Sequence, residues 1–265
     1  MPRQARRGTV PTRPERRAAR RAAPPATLAV DIGASGIKAS VVDAAGEPLA
    51  DRERVPTPHP CTPARLVRAT LALARALPSF DRASVGFPGV VHSGVVYTAP
   101  NLGNEAFYHF DAAATFQQRL GVPVRVVNDA DMHGLGVIRG EGIEVVLTLG
   151  SGVGAALFLD GRLGPHFDFV TLRKGEVADD LAAAGLERLG ARKWSKRVER
   201  FIDSLRELTN FDHLYLGGGN ADRLEIDLPH DVAIVSNHAA LIGSIRVWDA
   251  EPTAQRADDG ELTAR

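Results

Sequence analysis

Two stretches of this 265-residue chain place glycine and hydroxyl side chains where an apolar run turns back on itself. Residues 28–43 read LAVDIGASGIKASVVD and residues 144–160 read EVVLTLGSGVGAALFLD. In each, a second apolar run leaves the turn and ends on Asp and Gly, at Asp43 to Gly46 and at Asp160-Gly161. Gly33, Gly36, Gly150, Gly152 and Gly154 carry no Cβ, so backbone N–H groups can approach an anion closely, and Ser35 and Ser151 add hydroxyl donors. The pattern predicts a repeated β-hairpin whose tips bind phosphate-like groups. A dinucleotide fingerprint would need a helix after the glycines, whereas AALFLDGRL predicts a strand. A plain tight turn accounts for either copy alone; two copies, each with a hydroxyl at its tip, favour the anion site.

Charged and amide side chains stand near these turns. Asp31 ends the first strand beside its tip, and Lys38 lies two residues beyond Gly36. Asn128 and Asp129 follow the apolar run 123–127, at the C-terminal end of a predicted strand, where open α/β sheets place ligand crevices. On residue type alone that pair reads as a turn or a helix cap. Asn101, Asn104 and Glu105 sit in the polar stretch APNLGNEAF, and Gly217, Gly218 and Gly219 end a predicted strand at 212–216.

The elements that must carry these residues follow from periodicity. Residues 63–77 have helical apolar spacing between Pro63 and Pro78, and 82–87 form a buried strand. A helix over 111–120 opens at Asp111 and ends at Gly121, and another begins at 130–138. Further helices are predicted at 176–189, 193–209 and 238–248. The class is therefore α/β, with lobes at 27–130 and 131–249 and the helix 238–248 free to return to the first.

Composition narrows the classes. With 44% hydrophobic and 24% charged residues the chain can bury a core, and no run of about 18 apolar residues offers a membrane span. The single cysteine, Cys61, excludes an internal disulfide and a cysteine-rich zinc cluster, so no structural zinc is expected. Residues 1–26 hold eight Arg and one acid, Glu15; removing them from the 32 basic and 32 acidic residues leaves 24 against 31, a net of −7. Such a segment buries too little surface to order itself, so a disordered arm is expected there and a disordered tail at 250–265. The arm lacks a signal peptide's apolar core, and the cytoplasm is the expected location. It reads as a solvated tail or as an arm for a polyanion.

The first hairpin resembles the phosphate-1 loop of the actin, Hsp70 and sugar-kinase superfamily, and TLGSGVG resembles its phosphate-2 loop. Val85-Gly-Phe-Pro-Gly89, Ala99-Pro-Asn-Leu102, Val127-Asn-Asp-Ala130 and Leu216-Gly-Gly-Gly219 follow in an order similar to the ROK family, especially its polyphosphate and ATP glucokinase branch. That resemblance implies two similar actin-like, ribonuclease H-like lobes around a cleft, and a kinase acting on glucose or a related hexose. It implies Asp129 as catalytic base, with Asp131 the weaker candidate. Sugar contacts would come from Asn101, Asn128 and Asp129, assisted by Asn104 or Glu105. The donor, polyphosphate or ATP, would lie on Gly33, Ser35, Gly36, Lys38, Gly150, Ser151, Gly152 and Gly217 to Gly219, with Mg²⁺ near Asp31. Homodimers are common in this family, and its repressors carry a helix-turn-helix that residues 1–26 cannot hold, so no DNA partner is expected.

One stretch departs from the family pattern. Catalytic relatives commonly carry Glu and His in a Glu-x-Gly-His-like arrangement after the second hairpin, whereas here the chain reads Gly164-Pro-His-Phe-Asp-Phe-Val-Thr-Leu-Arg-Lys174. Asp168 can stand for the Glu, but no His follows it, and His166 precedes the position and reads as an ordinary surface or core residue. Loss of such contacts can cost on the order of 10⁴ in discrimination. The alternative to a kinase is therefore a catalytically weak sensor of sugar or nucleotide.

Overall fold

Strand β1 (Thr27–Ile32) turns at Gly33-Ala-Ser and returns as β2 (Gly36–Val42), with Asp31 opposite Lys38 and Ile32 opposite Ile37. A further strand, β3 (Glu53–Pro56), lies antiparallel on the outer side of β2. Helix α1 (Pro63–Ala76) is opened by the Thr62 hydroxyl and leads to β4 (Arg82–Phe87), parallel to β1. The chain then makes a small three-stranded sheet of β5 (Val91–His92), β6 (Val95–Val96) and β7 (Phe110–Asp111), with α2 (Asn104–Phe107) inserted before the last strand. Helix α3 (Ala112–Leu120) is capped by Asp111 and stopped by left-handed Gly121, and β8 (Val124–Asn128) completes the first sheet in the order β3-β2-β1-β4-β8. The computed structural model describes residues 24–166, 176–236 and 238–249.

Helix α4 (Asp129–Leu135) carries the chain to a second sheet. There β9 (Ile143–Leu149) and β10 (Val153–Leu159) form the second hairpin, and β11 (Arg162–Leu163) flanks β10. After α5 (Glu176–Leu181), α6 (Ala183–Leu189) and α7 (Ala191–Thr209), β12 (His213–Gly217) adds parallel to β9 and β13 (Val232–Ile234) parallel to β12. The order β11-β10-β9-β12-β13 repeats the first sheet strand for strand, two antiparallel pairings followed by two parallel ones. The duplication foreseen for the hairpins thus extends to whole sheets.

Strand alternation decides what each face carries. Leu28, Val30 and Ile32 point into a core with Leu66 and Leu73 of α1 and Phe116 of α3, so Asp31 faces the other way. In the second sheet Val145, Leu147 and Leu149 pack on Trp194, Val198 and Ile202 of α7. Val146, on the opposite face, packs with Phe158, Tyr215 and with Met132 and Leu135 of α4. The loop before β9 is held by the buried Glu144 carboxylate, which accepts from Arg139 N (2.7 Å), Gly140 N (2.7 Å) and the Tyr215 hydroxyl (2.8 Å). Burial, with this hydrogen bond, pushes the Tyr215 phenol up to about 12.

Two helices join the sheets. Helix α8 (Ala239–Arg246) lies against α4, β1 and β4, and the Trp248 indole donates to Ser84 Oγ (2.8 Å), whose own hydroxyl donates to Ser244 O (2.6 Å). Where α4 and α8 cross, backbone meets backbone: a methyl at Gly243 would overlap the Met132 carbonyl, and one at Gly136 the Ala239 carbonyl.

The helix expected over 176–189 is two helices. The chain leaves α5 at Ala182, which is extended (φ −74°, ψ 177°). The break lets Ala183 N–H donate to the Gly150 carbonyl (2.9 Å) and frees the Leu181 carbonyl for the buried Trp194 indole (3.0 Å). Strand β3 has no counterpart among the sequence expectations. Its exposed ERVP run carries no alternating apolar face to announce it.

Gly243→Ala is expected to cost about 1–3 kcal/mol by overpacking the helix crossing. The check is thermal unfolding, in which a melting temperature equal to the wild type's would contradict the packing described.

Candidate active site

Both hairpin tips open on one cleft of about 420 Å³ between the sheets, lined from the first lobe by Asp31, Gly33, Ser35 and Lys38 and from the second by Gly150, Ser151, Gly152 and Gly154. Each tip is closed by its own backbone, Gly33 N–H to Gly36 O (3.0 Å) and Gly150 N–H to Gly152 O (2.9 Å). The first is buttressed by Thr57, whose hydroxyl donates to Gly33 O (2.6 Å), and the second by Asn220, whose amide donates to Gly150 O (3.1 Å). Backbone and side-chain bonds therefore fix both loops before any ligand arrives.

Asp129 occupies the floor. It is the first residue of α4, and its position is set by Asn128, whose side-chain oxygen accepts from Ala130 N (2.8 Å) and Asp131 N (3.2 Å). The same amide donates to the carbonyls of Gly89 (3.0 Å) and Phe87 (3.4 Å). Gly154 faces the acid from β10: a Cβ there would meet Thr148 Oγ1 at 2.6 Å and Ala130 Cβ at 3.1 Å, with Asp129 Oδ1 at 3.9 Å. Although Asp129 keeps some solvent exposure at the cleft, protein atoms enclose its carboxyl. Burial first, and then the Asp31 charge, push that carboxyl up to about 7. A carboxyl poised there can accept a proton near neutrality.

Asp131 is buried and does not line the cleft; burial and then the Asp129 charge raise it to about 7 as well. One helical turn beyond Asp129, His133 does line the cleft, with burial pushing its imidazole down. Its ring lies on Gly217, where a Cβ would stand 2.7 Å from Nε2. Asp31 meets Lys38 Nζ at 3.3 Å. Among the described residues no three His, Cys, Asp or Glu side chains gather as a metal cage. Asp31 and Asp129 do bring two carboxylates to one phosphate-sized space, a donor set suited to Mg²⁺ held by one or two carboxylates, water and phosphate oxygens.

The structure brings most of the expected residues together and moves three aside. Asn101 reaches the cleft from the loop anchored by buried Leu102 and Phe107, its Nδ2 3.1 Å from where a Gly152 Cβ would stand. Gly218 and Gly219 line the cleft, but Gly217 is buried behind them, its missing side chain making room for His133. Gly36 likewise lies off the lining, beneath the Arg54 guanidinium. Glu105 is exposed on α2 and is not a cleft residue. Asn128, expected to touch the sugar, lines the cleft with its amide committed to capping α4 and to two carbonyls. Asp168 lies outside the described residues, and His166, before it, lines the cleft.

The sequence reading passed over Asn220, Thr148, His133 and Arg52. The signal for His133 was its place four residues after Asp129, on the same helical face. Asn220 directly follows the third glycine of its loop. Arg52 had no signal, because it faces the cleft only through the register of β3 on β2.

Residues 27–165 match the ROK family. Over 243 residues the chain is 31% identical to a polyphosphate glucokinase of Mycobacterium tuberculosis, covering 84% of this chain and 91% of that protein. A polyphosphate glucokinase of Mycobacterium leprae is 32% identical over 247 residues, 84% of this chain and 75% of that one. Among solved structures, the inorganic polyphosphate/ATP-glucomannokinase of Arthrobacter sp. strain KM superposes with a TM-score of 0.74 at 31% identity, covering 83% of this chain and 96% of that one. A ROK family glucokinase of Streptomyces griseus, at 20% identity and a TM-score of 0.65, shares the fold over 84% of this chain and 98% of its own. The likeness runs through both sheets and the helix that joins them, and it makes this chain a member of the ROK family, with the actin-like fold of that family's sugar kinases.

Proposed function

We propose that this protein transfers a phosphoryl group from polyphosphate or ATP to the 6-hydroxyl of glucose or a related hexose, with Asp129 as the base. Membership of the ROK family and the relatives matched over most of the chain make it a phosphotransferase with an alcohol acceptor. The observation that carries the finer reading is the Asp129 carboxyl, raised to about 7 at the floor of a cleft faced by both hairpin tips.

In this reading the donor's terminal phosphates rest on the backbone and hydroxyls of Gly33, Ser35, Gly150, Ser151 and Gly152, with Lys38 beside them. The sugar enters from the side of Asn101, Pro88 and Gly89. Asp129 orients the attacking hydroxyl and takes its proton as the oxygen–phosphorus bond forms, while the bond to the rest of the donor breaks and the shortened phosphate chain or ADP leaves. Asn128 acts through the cap that fixes Asp129 rather than by holding sugar. Mg²⁺, with Asp31 as its protein ligand directly or through water, would neutralise charge on the donor oxygens. Closure of the lobes over α4 would exclude water from the phosphate.

A coupled assay crossing a panel of hexoses with ATP and polyphosphate tests the reading directly; sugar and donor binding without product would instead favour the sensor. Asp129→Asn is expected to lower turnover by about 10²–10⁴-fold while donor affinity, measured by calorimetry, is kept. Unchanged turnover would remove Asp129 from the chemistry. The same variant tests the electrostatics. A carboxyl raised from 3.8 to about 7 on folding adds stability that is full below pH 3.8 and is lost as pH rises through 7. Asp129→Asn should therefore melt above the wild type at pH 8, with the gap closing as the pH falls to 5; a gap independent of pH would contradict the buried-carboxylate assignment.

A further inference from the structure

The cleft extends beyond the first hairpin tip along the sheet, over Ala29 and Ser40 toward Arg52, with Ala240 and Leu241 of α8 opposite. The register explains this floor. Lys38 stands opposite Asp31 on one side and Arg54 on the other, and Ser40 stands opposite Ala29. Alternation along the strands puts Lys38, Ser40 and Arg54 on the cleft face and turns Glu53 to the other. Arg52, two residues before Arg54, lines the cleft itself.

Two of the three positive charges on this floor are unspent. Lys38 is paired with Asp31, but neither Arg52 nor Arg54 takes part in an ion pair among the described residues. Ser40 Oγ, in a residue only 1% exposed, has no hydrogen-bond partner. The Arg54 guanidinium lies across the first turn because Gly36 has no side chain: a Cβ there would stand 2.8 Å from its Nε. Lys38 and Arg52 are the only Lys or Arg among the described residues lining the cleft, and both belong to the first lobe. The second-lobe loop Gly218-Gly219-Asn220 offers no formal charge to an anion.

We propose that Arg52 and Arg54, with Lys38 and Ser40, form a track for the distal phosphates of a linear polyphosphate, which leaves the hairpin tips along β2 and β3. A nucleoside triphosphate carries no phosphate beyond its third and a long inorganic chain does, so the track selects for donor length. The inference rests on the donor reading proposed above and assigns the residues that would distinguish its two donors.

The test measures equilibrium binding of long-chain polyphosphate and of tripolyphosphate to the full-length protein and to an Arg52→Ala/Arg54→Ala variant at several salt concentrations. Residues 1–26, with their eight Arg, are present in both proteins and cancel in the comparison. The ratio of long-chain to tripolyphosphate affinity is expected to fall about tenfold at low salt, with a shallower salt dependence, because two fewer cations displace counterions. The Arg52→Lys/Arg54→Lys variant should restore most of the ratio, which also separates lost charge from misfolding. An unchanged ratio, or equal losses for both probes, would overturn the track. A wild type that binds long chains in this way yet forms no sugar phosphate would refute the kinase reading and leave the track standing.

Discussion

Helix α4 is the reference for every distance in the cleft, because backbone grips it on several sides and leaves it a single seat. Its Met132 carbonyl abuts Gly243 of α8, its Gly136 abuts the Ala239 carbonyl, and its His133 ring lies close against Gly217 of β12. Close packing leaves little room to deform: a side chain at Gly243 or Gly136 meets backbone, so it forces a shift that no neighbouring rotamer can absorb. The acid on its first turn is therefore placed by the meeting of two sheets, not by the loop that precedes it. The Asn128 cap adds direction to that placement, since the same amide ties α4 to the Phe87 and Gly89 carbonyls at the end of the first sheet.

How much of this was legible in the sequence depends on whether a feature was local. The hairpins were, because alternating apolar runs and glycine tips are written within about sixteen residues. Helices α1 and α3 were legible to within a residue or two because Pro63, Pro78, Asp111 and Gly121 are start and stop signals written in the local sequence. The break at Ala182 was not, because its cause is a partner thirty-three residues away, the Gly150 carbonyl that takes the Ala183 N–H. The glycine run at 217–219 shows the same divide within three residues. The family resemblance made all three donor-binding, whereas tertiary packing assigned the first to His133 and only the next two to the cleft. Asn128 read correctly as a cap from its type, and the family resemblance that added a sugar contact met an amide already engaged.

The electrostatics of the cleft follow from the same crowding. Burial and the nearby Asp31 charge make Asp129 costly to ionise, and Asp131 adds a further carboxyl behind it, so the floor on its own repels phosphate. Lys38 offsets part of that charge through its contact with Asp31, and the neutral backbone donors of the two tips add dipoles without adding acid. A phosphate chain is thus welcome at the tips and unwelcome at the floor. That gradient suits the proposed transfer, in which the donor's phosphorus would lie next to Asp129 while the carboxylate is left free for the acceptor's proton. In the proposed reaction the Asp129 carboxylate would stay uncommitted to the phosphate because like charge keeps it so, and it would stay in reach because α4 is packed closely on Gly243 and Gly217.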